Sequence, residues 1–401
     1  MTDSVVRERP RLSGTNLERA ADHNQRVTLH AIRVCGPLTR VDLAGITGLT
    51  GPAIANITKR LLKDGLIQEA GQRRGGRGQP PTALMVRGDA CYSIGVNIDR
   101  DHITIVLVDF AGQTLARVVE EIDYALPDQV RSLYRRSVKK MLRKAAIDET
   151  RLVGLGVALP DELGHVDLPG RPAAYSAWDS VDIPALFDEP FDLPVFSEND
   201  AAAAAMGEMQ LGLGQKNNSF FYILISSGLG GGLVVDGSYF RGADGRSGEL
   251  GFMRAASGDE IQQLVSLSGL ARCLEARGLE LAALTGSAPS PEAQACLADW
   301  TENAARQLTV PLEAVNCLIN PSVILMGGRL PTAPLEALAA RTNALMQERR
   351  GTLPAVAPVV RAALSEDAPA VGAAILPFSH FLLPKPGALW KAGSGAEAAA
   401  A

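Results

Sequence analysis

The sequence predicts an α/β chain in two parts, a short helical module closed by a β-hairpin and a larger two-lobed α/β body. Three observations carry that prediction. Between Val27 and Val86, helical periodicity, turn residues and a glycine- and arginine-rich stretch follow one another. The charge divides near the same place: through Ala90 there are 14 Lys/Arg against 8 Asp/Glu, and beyond it 25 against 36. Past Asp89 a strand–turn–strand pattern occurs twice, at 92–112 and 220–237, each time followed by alternating strand and helix signals. Such a repeat points to a duplicated architecture with a cleft between its halves.

The 401 residues are enough for two or three domains, and 46% apolar content suits a chain with a large core. No uncharged apolar window reaches membrane-spanning length. The first residues mix Asp3, Arg7, Glu8 and Arg9, without the apolar stretch of a signal peptide. Cys35, Cys91, Cys273, Cys296 and Cys317 are scattered with no C-x-x-C pair, which predicts reduced thiols and a cytoplasmic setting. A basic first part on an acidic body implies that only the N-terminal module meets a polyanion; the alternative is an unevenly charged surface.

The module is expected to span residues 1–88. Val27, Ala31, Val34 and Cys35 recur on one helical face, and Gly36-Pro37 stops that helix. Thr39 and Asp42 have the spacing of a capping box for a short second helix that turns Val41, Leu43, Ala44 and Ile46 mostly inward. Thr50 caps a third helix with Pro52 in its first turn. There Ile54, Ile57 and Leu61 form the inward stripe, while Asn56, Lys59, Arg60 and Lys63 lie opposite. Small Gly51, Ala53 and Ala55 near its start allow close approach to a major groove, where Asn pairs with adenine and Lys or Arg with guanine or phosphate. Strands at 66–68 and 82–86 flank a glycine-rich loop bearing Arg73, Arg74 and Arg77, a wing suited to phosphates or the minor groove. The order describes a winged helix-turn-helix for double-stranded DNA; the alternative is a dimerisation or protein-contact module.

In the body, the apolar runs 152–159 and 323–326 predict strands buried on both faces. The Gly228–Gly232 stretch reads as a turn able to cradle a phosphate, or equally as a plain hairpin. Asn199 and Asp200 end a strand entering an alanine-rich helix, which places them at the cleft mouth to clamp neighbouring sugar hydroxyls; simple N-capping is the other reading. The residues from Pro386 onward are Ala/Gly-rich and read as a disordered tail.

Several motifs, in order, give a resemblance from Asn24 to about Phe381. They are Gly36-Pro-Leu-Thr-Arg, Thr47-Gly-Leu-Thr, Gly76-Arg-Gly-Gln-Pro, Glu198-Asn-Asp and Ser227-Gly-Leu-Gly-Gly-Gly, then Gly237, Arg241-Gly242 and Gly248-Glu-Leu-Gly. Val315-Asn316, Asn320-Pro321 and Gly327-Gly328 close the series. The chain resembles the ROK family of repressors, uncharacterised reading frames and sugar kinases, in its transcriptional-regulator branch. The resemblance implies an actin-like, RNase H-like, sugar-kinase-type body at 89–385, its lobes split near 200–210 and the chain returning to the first lobe near 365–385.

It also exposes departures. Family kinases hold the ATP phosphates and metal with Asp-x-Gly-Gly-Thr, but Asn97, Asp99, Arg100 and Asp101 stand at the matching positions. Two carboxylates and a bulky Arg oppose a triphosphate there. The family's Gly-Glu-x-Gly-His is Gly248 through Phe252, and no cysteine lies between Phe252 and Cys273, so the implied zinc ligands are missing. The sugar-loop Pro-Gly becomes Pro160-Asp161, and Ala174 replaces the Asn four residues before Trp178.

The expectation is a cytoplasmic, carbohydrate-responsive repressor that is not an enzyme and needs no cofactor or metal. Asn56, Lys59, Arg60, Arg73, Arg74 and Arg77 would contact an operator, and Asn199, Asp200 and Glu249 would hold a small sugar or sugar derivative. An inverted-repeat operator would require a homodimer or homotetramer, with no membrane involved. The alternatives are a sugar kinase with an appended DNA-binding domain, and a regulator of this family without a small-molecule effector.

Overall fold

The computed structural model describes residues 17–72, 81–161, 163–164, 171–284 and 289–384. They form two units: the chain through Arg87 together with the segment from Ser379, and Gly88–Phe378. The glycine-rich loop carrying Arg73, Arg74 and Arg77, and the tail from Pro386, lie outside the described residues.

The first unit runs α1 (Leu17–Cys35), β1 (Leu38–Thr39), α2 (Arg40–Thr47), α3 (Gly51–Lys63), β2 (Ile67–Gln72) and β3 (Thr82–Val86). Its strands make an antiparallel sheet in the order β1-β3-β2. Leu29, Ile32, Leu43, Ile54, Leu61 and Leu84 form the buried centre. The Thr39/Asp42 capping box is present, and Gly48 closes α2 in the left-handed region at φ 67°, where a side chain would be strained.

Two stripes differ from the sequence reading. On α1 the buried face is Thr28, Leu29, Ala31 and Ile32, whereas Cys35 is exposed. Thr28 can be buried because its hydroxyl donates to the Asn24 carbonyl at 2.7 Å, so a polar residue sits where periodicity counts only apolar ones. On α2, Leu43 is buried but Val41 and Ile46 are 77% and 54% exposed. Eight residues make little more than two turns, and only one side of such a helix meets α1 and α3. In α3, Ile54, Ile57 and Leu61 are buried as expected. Arg26 also donates to the His380 and Leu383 carbonyls, each at 3.1 Å, which fastens α1 to the segment from Ser379.

The second unit is built twice over. Its first half contains β4 (Tyr92–Ile98), β5 (His102–Asp109), β6 (Thr114–Glu121), α4 (Pro127–Ala145), β7 (Leu152–Leu159), α5 (Ile183–Leu186), β8 (Val195–Asn199) and α6 (Asp200–Leu211). The second contains β9 (Phe220–Ile225), β10 (Leu229–Val235), β11 (Ser238–Tyr239), α7 (Ile261–Leu264), α8 (Leu267–Glu275) and α9 (Pro291–Leu318). It continues through β12 (Val323–Gly328), α10 (Thr332–Glu348), β13 (Val359–Arg361) and α11 (Ala368–Phe381), whose last three residues belong to the first unit. The sheets are ordered β6-β5-β4-β7-β8 and β11-β10-β9-β12-β13. Each has three antiparallel strands followed by two parallel ones, so both halves share one topology.

Between the sheets lie α6 and α11, packed through small residues. On the second sheet, a Cβ added at Gly230 or Gly232 would stand 2.7 or 2.6 Å from the Ala201 or Ala205 side chain of α6. On the first, a Cβ at Gly95 or Gly156 would strike the Ala370 or Ala373 carbonyl of α11. Where the helices meet, a Cβ at Gly372 would strike the Ala203 carbonyl, and one at Gly207 would lie 3.2 Å from the Gly372 Cα. Glycine is therefore required by backbone approach at these contacts. The glycines 230–232 are strand residues of β10, not a phosphate-cradling turn; the turn before them is Ser226–Gly228, closed by Ser226 N–H to the Gly228 carbonyl.

Cys273 and Cys296, scattered in sequence, bring their sulfurs to 3.1 Å as free thiols. Among the described residues, no helix is long and apolar enough to cross a membrane.

Candidate functional site: a cleft between two α/β lobes

A cavity of about 560 Å³ opens between the two halves of the second unit. Arg100, Tyr124, Pro160, Asp161, Asn199 and Asp200 line it from the first half; Ser226 to Gly230, Arg246, Glu249, Phe252 and Gln262 line it from the second. The three expected effector residues therefore share one wall system. Each arrives by a different local device.

Asn199 ends β8 as the N-cap of α6, its Oδ1 accepting from Ala201 and Ala202 N–H at 2.9 and 3.1 Å. Capping and cavity lining thus belong to the same residue, because the cap uses only the amide oxygen; the amide nitrogen has no partner among the described residues. Asp200 is buried, with Oδ1 accepting its neighbour Ala201 N–H at 2.7 Å. Burial, reinforced by the nearby Asp99 carboxylate, pushes its carboxyl up to about 7. Near neutral pH it is partly protonated, and so can both donate to and accept from a hydroxyl. Glu249 is half-buried, and its Oε1 accepts from Arg246 Nε at 3.1 Å; burial raises its carboxyl too. Arg246 also lies 3.7 Å from Asp161 and over the Phe252 ring at 5.8 Å. Phe252 therefore supplies a cation–π surface where the family resemblance expected an imidazole.

The β4–β5 turn has a different chemistry. Asn97 and Asp99 are buried, and Asn97 Nδ2 lies 3.2 Å from His102 Nε2. Asp101 Oδ1 pairs with His102 Nδ1 at 2.7 Å, and Oδ2 accepts from Arg329 Nη1 at 2.7 Å. Burial pushes the Asp101 carboxyl up, but the His102 hydrogen bond and the charges of His102 and Arg329 hold it below its ordinary value. Arg329 follows β12 in the other half and also reaches Glu121 at 2.7 Å, so one guanidinium joins the two lobes. Asp99, Asp101 and His102 are the only group of three convergent metal-ligand types among the described residues, although both Asp101 oxygens are already engaged.

In the first unit, Asn56, Lys59 and Arg60 are all exposed on α3, opposite its buried stripe. Sequence reasoning missed Arg329, which lies 228 residues from its partner Asp101, and Tyr124, whose position follows only from the fold. Arg100 was legible as an altered glycine but not as a cavity cation.

Comparison with known proteins adds the lineage. An uncharacterised protein of Sinorhizobium fredii is 31% identical over 347 residues, covering 85% of this chain and 87% of that protein. The xylose repressor of Bacillus subtilis is 27% identical over 232 residues, 57% of this chain and 60% of its own length. The DNA-binding transcriptional dual regulator NagC of Escherichia coli is 24% identical over 246 residues, or 60% and 59%. The match thus spans about three-fifths of the length of each of these two named regulators. Among solved structures, a ROK family transcriptional regulator, a homologue of the E. coli MLC protein, aligns at TM-score 0.65 and 24% identity, covering 90% of this chain and 96% of that one. A glucokinase of Streptomyces griseus, solved with glucose and AMPPNP, aligns at 0.53 and 23%, covering 71% and 98%. These two show a shared fold. With its doubled sheet topology, its interlobe cleft and a ROK family model matching residues 93–379, the chain belongs to the ROK family.

Proposed function

We propose that this protein is a DNA-binding transcriptional regulator, a repressor of carbohydrate-metabolism genes, whose cleft holds a sugar or sugar derivative and transfers no phosphoryl group. The observation that carries the reading is the β4–β5 turn. Asp99 and Asp101 stand where phosphates would lie by family resemblance, and Arg329 of the opposite lobe occupies Asp101. A triphosphate would have to displace that ion pair and face two carboxylates. The xylose repressor and the DNA-binding regulator NagC among its relatives support the same reading.

The first unit is a winged helix-turn-helix in this proposal. Helix α3 enters the major groove with Asn56, Lys59 and Arg60, and Arg73, Arg74 and Arg77 serve the wing. Two copies of the chain, a homodimer or a pair of dimers in the cytoplasm, meet an inverted repeat. Asn199, Asp200 and Glu249 hold hydroxyls, and lobe closure changes operator affinity; a coupling of ~1–3 kcal/mol makes a useful switch.

Selection from a random duplex pool, followed by fluorescence anisotropy with and without sugars, tests this. The expected result is an enriched inverted repeat whose affinity shifts with one sugar class. Failure to enrich any sequence, or phosphoryl transfer from ATP–Mg to a sugar, would overturn it.

A further inference from the structure

Arg100 stands on the β4–β5 turn, and the turn is fixed on both sides of it. Its N–H donates to Asp99 Oδ1 at 2.7 Å, and its carbonyl accepts from Tyr124 N–H at 2.6 Å. The side chain lines the cavity, its Nε is buried with no hydrogen-bond partner, and no ion pair reaches it among the described residues. The other charges of the wall are engaged or peripheral. Arg246 lies between Glu249 and Asp161, Glu260 pairs with Arg254, Arg272 donates to the Gln263 carbonyl, and Glu275 is exposed at the rim. Arg100 is thus the one cation of the wall, among the described residues, with neither carboxylate nor carbonyl in contact.

Its guanidinium also has a defined place. Nη1 would lie 3.5 Å from a Cβ at Gly228, so the side chain reaches from the first lobe to the β9–β10 turn of the second. Asp200 Oδ1 would lie 3.9 Å from a Cβ at Gly230, two residues on from Gly228, and Arg100, Asn199 and Asp200 line the same cavity.

We propose that the effector is an anionic sugar derivative, with Arg100 receiving its carboxylate or phosphate while Asn199 and Asp200 hold its hydroxyls. The proposal rests on the reading of the cleft as an effector site. A planar guanidinium with uncommitted donors matches a carboxylate or phosphate in two-point geometry, and a neutral polyol cannot replace that contact. The carboxylates around the cavity do not argue for a neutral ligand, because those facing inward near Arg246 already share its charge. Asp200 is partly protonated near neutral pH, so it presents a donor rather than a full repelling charge to the anion.

Calorimetry on the full chain decides it, with glucose and xylose as neutral probes, gluconate, glucuronate and xylonate as acids, and glucose 6-phosphate as phosphate ester. At least one anionic probe is expected to bind roughly tenfold or more tightly than its neutral parent, with raised salt weakening that preference. The acid and phosphate arms distinguish which anion the cavity takes. Arg100→Gln should abolish the preference and Arg100→Lys retain part of it; the ratio on the unaltered chain decides the matter even if Gln fails to fold. Neutral sugars binding as tightly as their anions would overturn the proposal while leaving the sugar-effector reading intact. Binding by no probe would overturn both.

Discussion

At Asp200 the fold holds a carboxyl in a buried place beside a second carboxylate, and this has a measurable price in stability. Its ordinary acidity is near 3.8, and burial raises it to about 7. Its contribution is therefore fully present below pH ~4 and is lost as pH rises through about 7, because the folded state resists ionisation there. Asp200→Asn removes the titration, so the variant should gain on the parent between pH 5 and 8 in thermal denaturation; parallel curves would refute this. The exposed residues of α3 give a second prediction. Asn56→Ala should alter base preference at one operator position at a cost of ~1–3 kcal/mol, whereas Arg60→Ala should weaken all duplexes and flatten the salt dependence. Unchanged anisotropy titrations for both would remove α3 from the interface. The exposure of Asn56 was legible in the sequence because an amphipathic split separates exposed from buried without tertiary information. Asp200's acidity was not, because it depends on burial between the lobes and on Asp99, 101 positions away.

At the scale of elements, legibility followed the length and uniformity of the apolar run. The strands β7 and β12 were readable from their apolar runs, and α3 from its stripe, since burial on fixed faces leaves a trace in the sequence. The face of α1 was misread because buried Thr28 satisfies its hydroxyl within its own helix. The glycines of β10 were ambiguous for another reason. A glycine kept for helix approach and one kept for phosphate approach look alike until the packed helix is known. Gly232→Val tests the packing role: its side chain would meet the Ala205 Cβ and the Ala201 carbonyl, and overpacking of this kind costs ~1–3 kcal/mol or more. A lowered denaturation midpoint is expected; an unaltered one would mean that α6 does not sit against β10.

Across the whole molecule, the duplicated topology was visible in the recurring strand–turn–strand pattern, but the join between lobes was not. Arg329 is separated from Asp101 by most of the body, and no spacing rule connects them. Replacing Arg329 by Gln removes the charge from both lobe contacts, to Asp101 and Glu121. Losing the contact to part-buried Asp101 costs at most ~1.5–3 kcal/mol and the exposed Glu121 pair ~0–1 kcal/mol, and the change should widen the cleft and speed amide exchange in the β4–β5 turn. Identical scattering profiles and exchange rates for parent and variant would show that the clasp does not hold the cleft. The α6–α11 seam sets what movement that clasp restrains. Helices with long interleaved side chains mesh like gears, and one can move past the other only when rotamers flip out of the way. Here α6 rides with the second sheet and α11 with the first, and glycine and alanine leave almost nothing to mesh. The seam is a plain bearing: small shears of the lobes need no side chain to reset there, so resistance to opening falls to the ion pairs that cross between the halves, Arg329 with Asp101 and Glu121, Arg246 with Asp161 and Arg241 with Glu198.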